Sequence, residues 1–390
     1  MSLSEFNLKT RTIFGQESAL SLPNYLKEMN LKKLGIIVDS GVLNTDYVKK
    51  ILENIKNENF EKVYIWEYDL KSEPDYDSLD RIKTRFLDSN LKPTVDCFIG
   101  IGGGSVIDFA KGLSTLVVNY GNALNYRGFP KNIIPSLPTI ALVTTIGTGS
   151  EVTYNAVFID KEAKKKLGIN TMHNFPALAV LDPNLTLSCP NSVISSSGMD
   201  ALTHTLESYV ATKANPLTRI FAENAFNLIF NNLLKVLEVP GDLESRSKLQ
   251  LGAYLAGISL MNSGSGVAGA LSYSLGVHFG VPHGIAGALY LPHVVDFNIQ
   301  KGYDYSRLCD LIDGVDKSLA KEEKNRIFGN KLFELGRRLN VPDTLRYFGV
   351  DESNLNILLK EAENLDKAFA QNPIPFTVED GKQLLIKLIK

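Results

Sequence analysis

Along the first half of the chain, short unbroken apolar runs alternate with stretches in which apolar residues recur every three or four positions. Runs at residues 34–39, 63–66, 95–101, 138–144 and 177–181 predict strands. The periodic stretches at 47–55 and 79–87, and the segment after position 105, predict helices. Strands alternating with helices imply a largely parallel sheet covered by helices. After Pro190 the texture changes. Helical spacing dominates at 221–236, 247–260 and 325–339, and few β-branched runs remain. The Asp182-Pro183 and Cys189-Pro190 steps interrupt the chain between the two textures. The pattern therefore predicts an α/β domain over 1–187 and an all-helical domain over 188–390.

At 390 residues the chain is too long for one ordinary core, which agrees with two domains. With 44% hydrophobic and 22% charged residues, the composition is that of a soluble globular protein. A net charge of −2 gives no drive toward nucleic acid or an anionic membrane. No apolar run reaches bilayer length, and the N-terminus lacks the basic and apolar regions of an export signal. Cys97, Cys189 and Cys309 are isolated, without metal-like spacing, and read as buried small hydrophobes in a reducing cytoplasm. A cytoplasmic protein is expected. Edge strands of the sheet could pair two copies into a homodimer.

The chemistry begins where the strand 95–101 runs into Gly102, Gly103, Gly104 and Ser105 and then into a helix. Missing β-carbons let the backbone approach a ligand, and a helix N-terminus offers free N–H donors to a phosphate. The turn departs from G-x-G-x-x-G, with serine at the last position, so a plain tight turn is the competing reading. A second loop follows another strand, with Thr144, Thr145 and Thr148 interleaved with glycines. Two such loops at strand ends suggest a crevice along the carboxyl edge of the sheet. Asp39 ends the first strong strand. It could bind both hydroxyls of an adenosine ribose and repel a 2′-phosphate, favouring NAD over NADP, or it could simply form a turn before Ser40-Gly41.

In the helical half, Asp200 and His204 stand at i and i+4 and would project from one helix face. They could share a cation, or be an acidic first turn followed by a core histidine. His283 lies in Val281-Pro282-His283-Gly284, at the mouth of another helical run. Together the three make a two-histidine, one-carboxylate set with open positions, suited to Zn²⁺ or Fe²⁺. Of the other histidines, His293 reads as packed or capping and His173 as a surface loop residue.

Taken in order, these segments resemble the iron-dependent (group III, metal-containing) alcohol dehydrogenase family. The residues that carry the resemblance are the glycine turn, 144–153, Asp182-Pro183, 198–204, Pro282-His283-Gly284, Leu291-Pro292-His293 and Asn372-Pro373-Ile374-Pro375. The resemblance covers nearly the whole chain. It implies an α/β N-terminal domain with a mostly parallel Rossmann-like sheet and an all-helical C-terminal domain, a dehydroquinate synthase-like architecture. One divalent metal would lie in the cleft between the domains. The activity implied is NAD(P)-dependent hydride transfer between a primary alcohol or aldehyde and nicotinamide. By this resemblance Asp39 is the ribose-binding acid, and Gly102, Gly103, Gly104, Ser105, Thr144, Thr145 and Thr148 are phosphate and nicotinamide contacts. Asn155 and Lys166 match further cofactor-side positions. Asp200, His204 and His283 match three metal ligands.

Two positions depart from the family pattern. A fourth ligand histidine is expected where this chain has Gly269, and a histidine near the nicotinamide where it has Tyr273. Water could replace the missing ligand, His278 could reach in, or the metal could be lost. With no histidine at 273, the Tyr273 phenol, a ribose hydroxyl or a water chain would have to carry the proton, and a phenol is a poor base at neutral pH. The departures suggest a polyol or sugar-derived alcohol as substrate. The alternatives are a catalytically silent NAD-binding member and a lyase related to dehydroquinate synthase. The lyase would be expected to carry a ligand set rich in Glu and His, which is absent from this sequence.

Overall fold

The computed structural model describes residues 5–69 and 73–390. The chain divides into two compact units: Leu8–Pro190, and Asn191–Lys390 joined by residues 5–7.

In the first unit six strands form one parallel sheet: β1 (Arg11–Phe14), β2 (Lys33–Asp39), β3 (Lys62–Tyr68), β4 (Cys97–Gly102), β5 (Thr139–Val143) and β8 (Leu178–Leu181). Their order is β1-β8-β5-β4-β2-β3, and β6 (Ile159–Asp160) and β7 (Lys165–Lys166) form a separate antiparallel hairpin. The apolar runs are continuous because both sheet faces are covered. Leu34, Ile36, Val38, Cys97, Ile99 and Ile101 enter one core, which includes Val48, Ile51 and Ile55 of α2 (Asp46–Lys56). Ile37 and Phe98 point the other way, into a core shared with α3 (Tyr76–Lys83) and α4 (Gly104–Leu116). The preceding helix, α1 (Leu22–Glu28), packs Leu22 and Leu26 into the first core.

From β2 the chain goes to β3 on one side and then returns to β4 on the other. The strand order therefore reverses between β2 and β4, and an open α/β sheet binds its ligand at the carboxyl ends of such a pair. Asp39 ends β2 and Gly102 ends β4.

Most predicted strands shift by one to three residues. The helix expected over 79–87 instead ends at Lys83, continues as a 3₁₀ turn to Phe86, and leaves Leu87 bridged to Pro93. The pattern missed β1, whose four half-exposed residues are too few to show a period, and the two-residue strands of the hairpin.

The second unit contains no strand among its described residues. Its long helices are α5 (Asn191–Val210), α6 (Pro216–Glu238), α7 (Leu243–Ser263), α8 (Val267–Phe279), α9 (His283–Gln300), α10 (Lys321–Arg338) and α11 (Val378–Ile389). Asn215 starts α6 with a reciprocal capping box to Thr218, and Pro216 sits at the first helical position. No helix among the described residues is long and apolar enough to cross a membrane. Cys97, Cys189 and Cys309 are buried.

Candidate active site

Glycines bring the helical-unit residues together. A Cβ on Gly284 would lie 1.9 Å from the Ser196 carbonyl oxygen and 3.0 Å from the Asp200 Cβ. One turn on, a Cβ on Gly287 would lie 3.1 Å from the Thr203 hydroxyl. The start of α9 therefore lies directly on α5, an approach only glycine permits. Pro282 precedes His283, the first residue of α9, and the close crossing sets that imidazole beside Asp200.

Asp200, His204 and His283 each offer one donor atom, and all three atoms lie within 4.8 Å of one another. His204 Nε2 and His283 Nε2 stand 3.6 and 3.9 Å from the same Asp200 carboxylate oxygen. Those distances are too long for hydrogen bonds. They suit donors around a shared cation, which first-row metals hold at about 2.0–2.2 Å from each ligand atom. The His204 Nδ1 is buried without a hydrogen-bond partner among the described residues, a polar atom the protein alone leaves unsatisfied. One carboxylate and two imidazoles fit Fe²⁺ or Zn²⁺.

Tyr273 of α8 packs its ring against His283, tilted at 45° with centroids 4.7 Å apart, and is 39% exposed. Gly269 lies one turn earlier on the same face of α8. Its missing side chain faces Glu207, a residue not singled out in the sequence. The Glu207 carboxylate is buried and accepts the N–H groups of Gly266 at 2.8 Å and Gly269 at 3.0 Å, capping the start of α8. Burial raises its pKa, opposed by those two N–H donors and by His204. A Cβ on Gly269 would meet Glu207 Oε2 at 2.9 Å. The spacing of Glu207 three residues after His204, with Gly266 and Gly269 three apart, was the available signal. His278 lies within α8 and turns toward Glu361 at 3.9 Å, so it does not join the donor set. His293 packs edge-on against Phe333, and His173 is exposed.

In the α/β unit the glycine turn and the threonine loop close on each other. A Cβ on Gly102 would lie 2.6 Å from Val106 and 3.1 Å from the Asp39 Cβ. On Gly103 it would meet Thr145 at 3.0 Å, and on Gly104 Thr148 at 2.6 Å. The Thr144 N–H donates to the Gly102 carbonyl at 3.0 Å. Ser105 lies in the first turn of α4. Asp39, the four turn residues and the three threonines thus line one edge of the sheet. Asp39 also accepts the Gly41 N–H at 2.8 Å, so its turn-forming reading holds structurally. Asn155 lies on the same loop farther along, half-buried. Lys166 stands on β7 with its Nζ 2.6 Å from Glu73.

The sequence pattern described as "Iron-containing alcohol dehydrogenase" matches residues 9–183. That described as "Fe-containing alcohol dehydrogenase family, C-terminal" matches residues 194–389. The chain belongs to the iron-containing alcohol dehydrogenase family. Among curated relatives, alcohol dehydrogenase 4 of Schizosaccharomyces pombe is 30% identical over 98% of this chain and 89% of that protein. The NAD-dependent methanol dehydrogenase of Bacillus methanolicus is 29% identical over 98% of this chain and 99% of that one. A solved structure of a 1,3-propanediol oxidoreductase superposes over the whole of both chains, with a TM-score of 0.90 at 25% identity. As a member of the iron-containing family this chain is an alcohol dehydrogenase, moving hydride between an alcohol or aldehyde and a nicotinamide dinucleotide. The family implies a metal as well as NAD(H).

Proposed function

We propose that this chain uses NAD in preference to NADP, with one divalent metal, to interconvert a primary alcohol, polyol or sugar-derived, and its aldehyde. The convergence of Asp200, His204 and His283 carries the reading. They would hold Fe²⁺ or Zn²⁺ as a three-donor site, and the ion supplies Lewis-acid polarisation of the substrate oxygen. Gly269 adds no donor, and the space beside it is taken by the Glu207 carboxylate.

The remaining roles follow from position. The N–H groups of the turn Gly102, Gly103, Gly104 and Ser105, at the start of α4, would bind the pyrophosphate. Thr144, Thr145 and Thr148 would complete that cradle, with Asn155 and Lys166 at further cofactor-side positions. Asp39 would accept the two ribose hydroxyls, and its charge disfavours a 2′-phosphate. The Bacillus methanolicus relative is an NAD-dependent methanol dehydrogenase, which agrees with this choice. The Tyr273 phenol, whose ring packs against His283, would take up or release the alcohol proton.

The test is turnover together with metal analysis. Purified protein loaded with Fe²⁺ or Zn²⁺ is assayed with NAD⁺ and with NADP⁺ on simple alcohols, diols and sugar alcohols. The expected result is NADH formation, fastest on a polyol, with one metal per chain that is lost in His204→Ala. No turnover of any alcohol by metal-loaded protein would sink the proposal, as would tighter binding of NADPH than of NADH.

A further inference from the structure

Gly104, Asp108 and Lys111 stand at i, i+4 and i+7 along one face of α4, and each meets the loop that follows β5. Gly104 lies against Thr148. Asp108 accepts the Val157 N–H at 2.9 Å and the Ser150 hydroxyl. Lys111 is wholly buried, and its ammonium donates to Ser150 Oγ at 2.9 Å and to the Asn155 carbonyl at 2.8 Å. It also lies 3.6 Å from Asp108. The Ser150 N–H in turn donates to the Thr148 hydroxyl at 3.3 Å. One helix face therefore grips the loop at Thr148, Ser150, Asn155 and Val157. Burial draws the Lys111 pKa down to about 8, while Asp108 and Glu151 pull it back up. Filling this space with an apolar side chain would avoid desolvating a charge, so a buried ion pair is weak as a device for stability alone.

We infer that Lys111 is a positioning residue for dinucleotide binding: through Ser150, Asp108 and the Asn155 carbonyl it fixes the 148–157 loop against the glycine turn. The inference rests on the reading that this sheet edge binds the dinucleotide. Fixing the loop in advance removes an ordering cost from binding. It also keeps Thr148 and Asn155, the loop's two candidate contacts, at a set distance from the turn.

The experiment compares the full chain with Lys111→Met, Ser150→Ala and Thr115→Val. Thr115, on the same helix, donates to Asn174 at 2.7 Å and pairs with Ser136, away from this loop. NADH affinity, steady-state constants, Tm and amide hydrogen exchange are measured for each. Lys111→Met should weaken NADH binding and raise KM for NAD⁺ roughly ten- to a hundredfold, with kcat little changed. Amides of the loop should exchange faster. Ser150→Ala should act the same way, more weakly, and remains informative should Lys111→Met not fold. Thr115→Val should lower Tm and leave NADH affinity alone.

NADH binding and loop exchange at wild-type levels in Lys111→Met, or in Ser150→Ala if that alone folds, would overturn the inference. So would a loss of affinity in Thr115→Val equal to that in Ser150→Ala. A wild-type chain that does not bind NADH would defeat the site reading itself. In that case the loop grip still stands or falls on the exchange rates.

Discussion

Gly284→Ala tests whether the close crossing of α9 on α5 builds the donor set. The new methyl would sit 1.9 Å from the Ser196 carbonyl oxygen. Carbon and carbonyl oxygen rest at about 3.3 Å or more, so the two helices must separate by roughly 1.4 Å. The obstacle is backbone inside a helix, so no rotamer change can relieve it. Overpacking of this kind costs about 1–3 kcal/mol, which lowers Tm by roughly 3–10 °C in a unit of this size. The same movement carries His283 away from Asp200. Metal sites tolerate errors of about 0.2 Å in ligand distance, so Zn²⁺ affinity should fall at least ten- to a hundredfold. Calorimetric titration with Zn²⁺ and thermal melts of the apo protein read both effects. Gly287→Ala is the control: its methyl meets the rotatable Thr203 side chain at 3.1 Å and should cost less on both counts. Wild-type Zn²⁺ affinity in Gly284→Ala would refute the claim that this crossing positions the ligands.

Asp39→Asn keeps an oxygen for the Gly41 N–H and removes the charge, so discrimination against NADP⁺ should fall about tenfold, read from the ratio of dissociation constants. Tyr273→Phe should lower kcat by roughly a hundredfold, leaving metal content and NADH affinity unchanged, if the phenol handles the proton. Burial holds the His293 pKa near about 4, against 6.5 when unfolded. The unfolded chain therefore binds the extra proton first, and stability falls as pH drops from 6.5 toward 4, by up to roughly 3 kcal/mol. Denaturant titrations of His293→Leu should show a flatter acid limb than wild type over that window.

The sheet was legible because strands buried on both faces are written as continuous apolar runs, as at Ile36, Ile37 and Val38. Edge strand β1 was not, since four half-exposed residues carry no such signal. Asp200 and His204 were readable as a pair from helical spacing, and the meeting of His283 with them was not. That contact depends on Gly284 approaching Ser196 across 88 positions of sequence. Buried polar groups were the least legible. Lys111 and Glu207 look like surface charges until the fold encloses them, and only their partners on distant loops show what they do.

Gly269 separates two explanations of the donor set. If the site is complete with three donors, position 269 serves the helix cap rather than the metal. Gly269→Ala would then place a methyl 2.9 Å from Glu207 Oε2. The obstacle is the end of a side chain, which can turn aside, but only by loosening its hydrogen bonds to Gly266 and Gly269 in a buried place. Loss of such a cap costs about 1–2 kcal/mol. Asp200, His204 and His283 do not touch that methyl, so Zn²⁺ affinity should stay within about threefold while Tm falls. The opposite outcome, unchanged Tm with metal affinity reduced tenfold or more, would mean that the space at Gly269 holds part of the coordination sphere. The cap and the three-donor site would then have to be reassigned together.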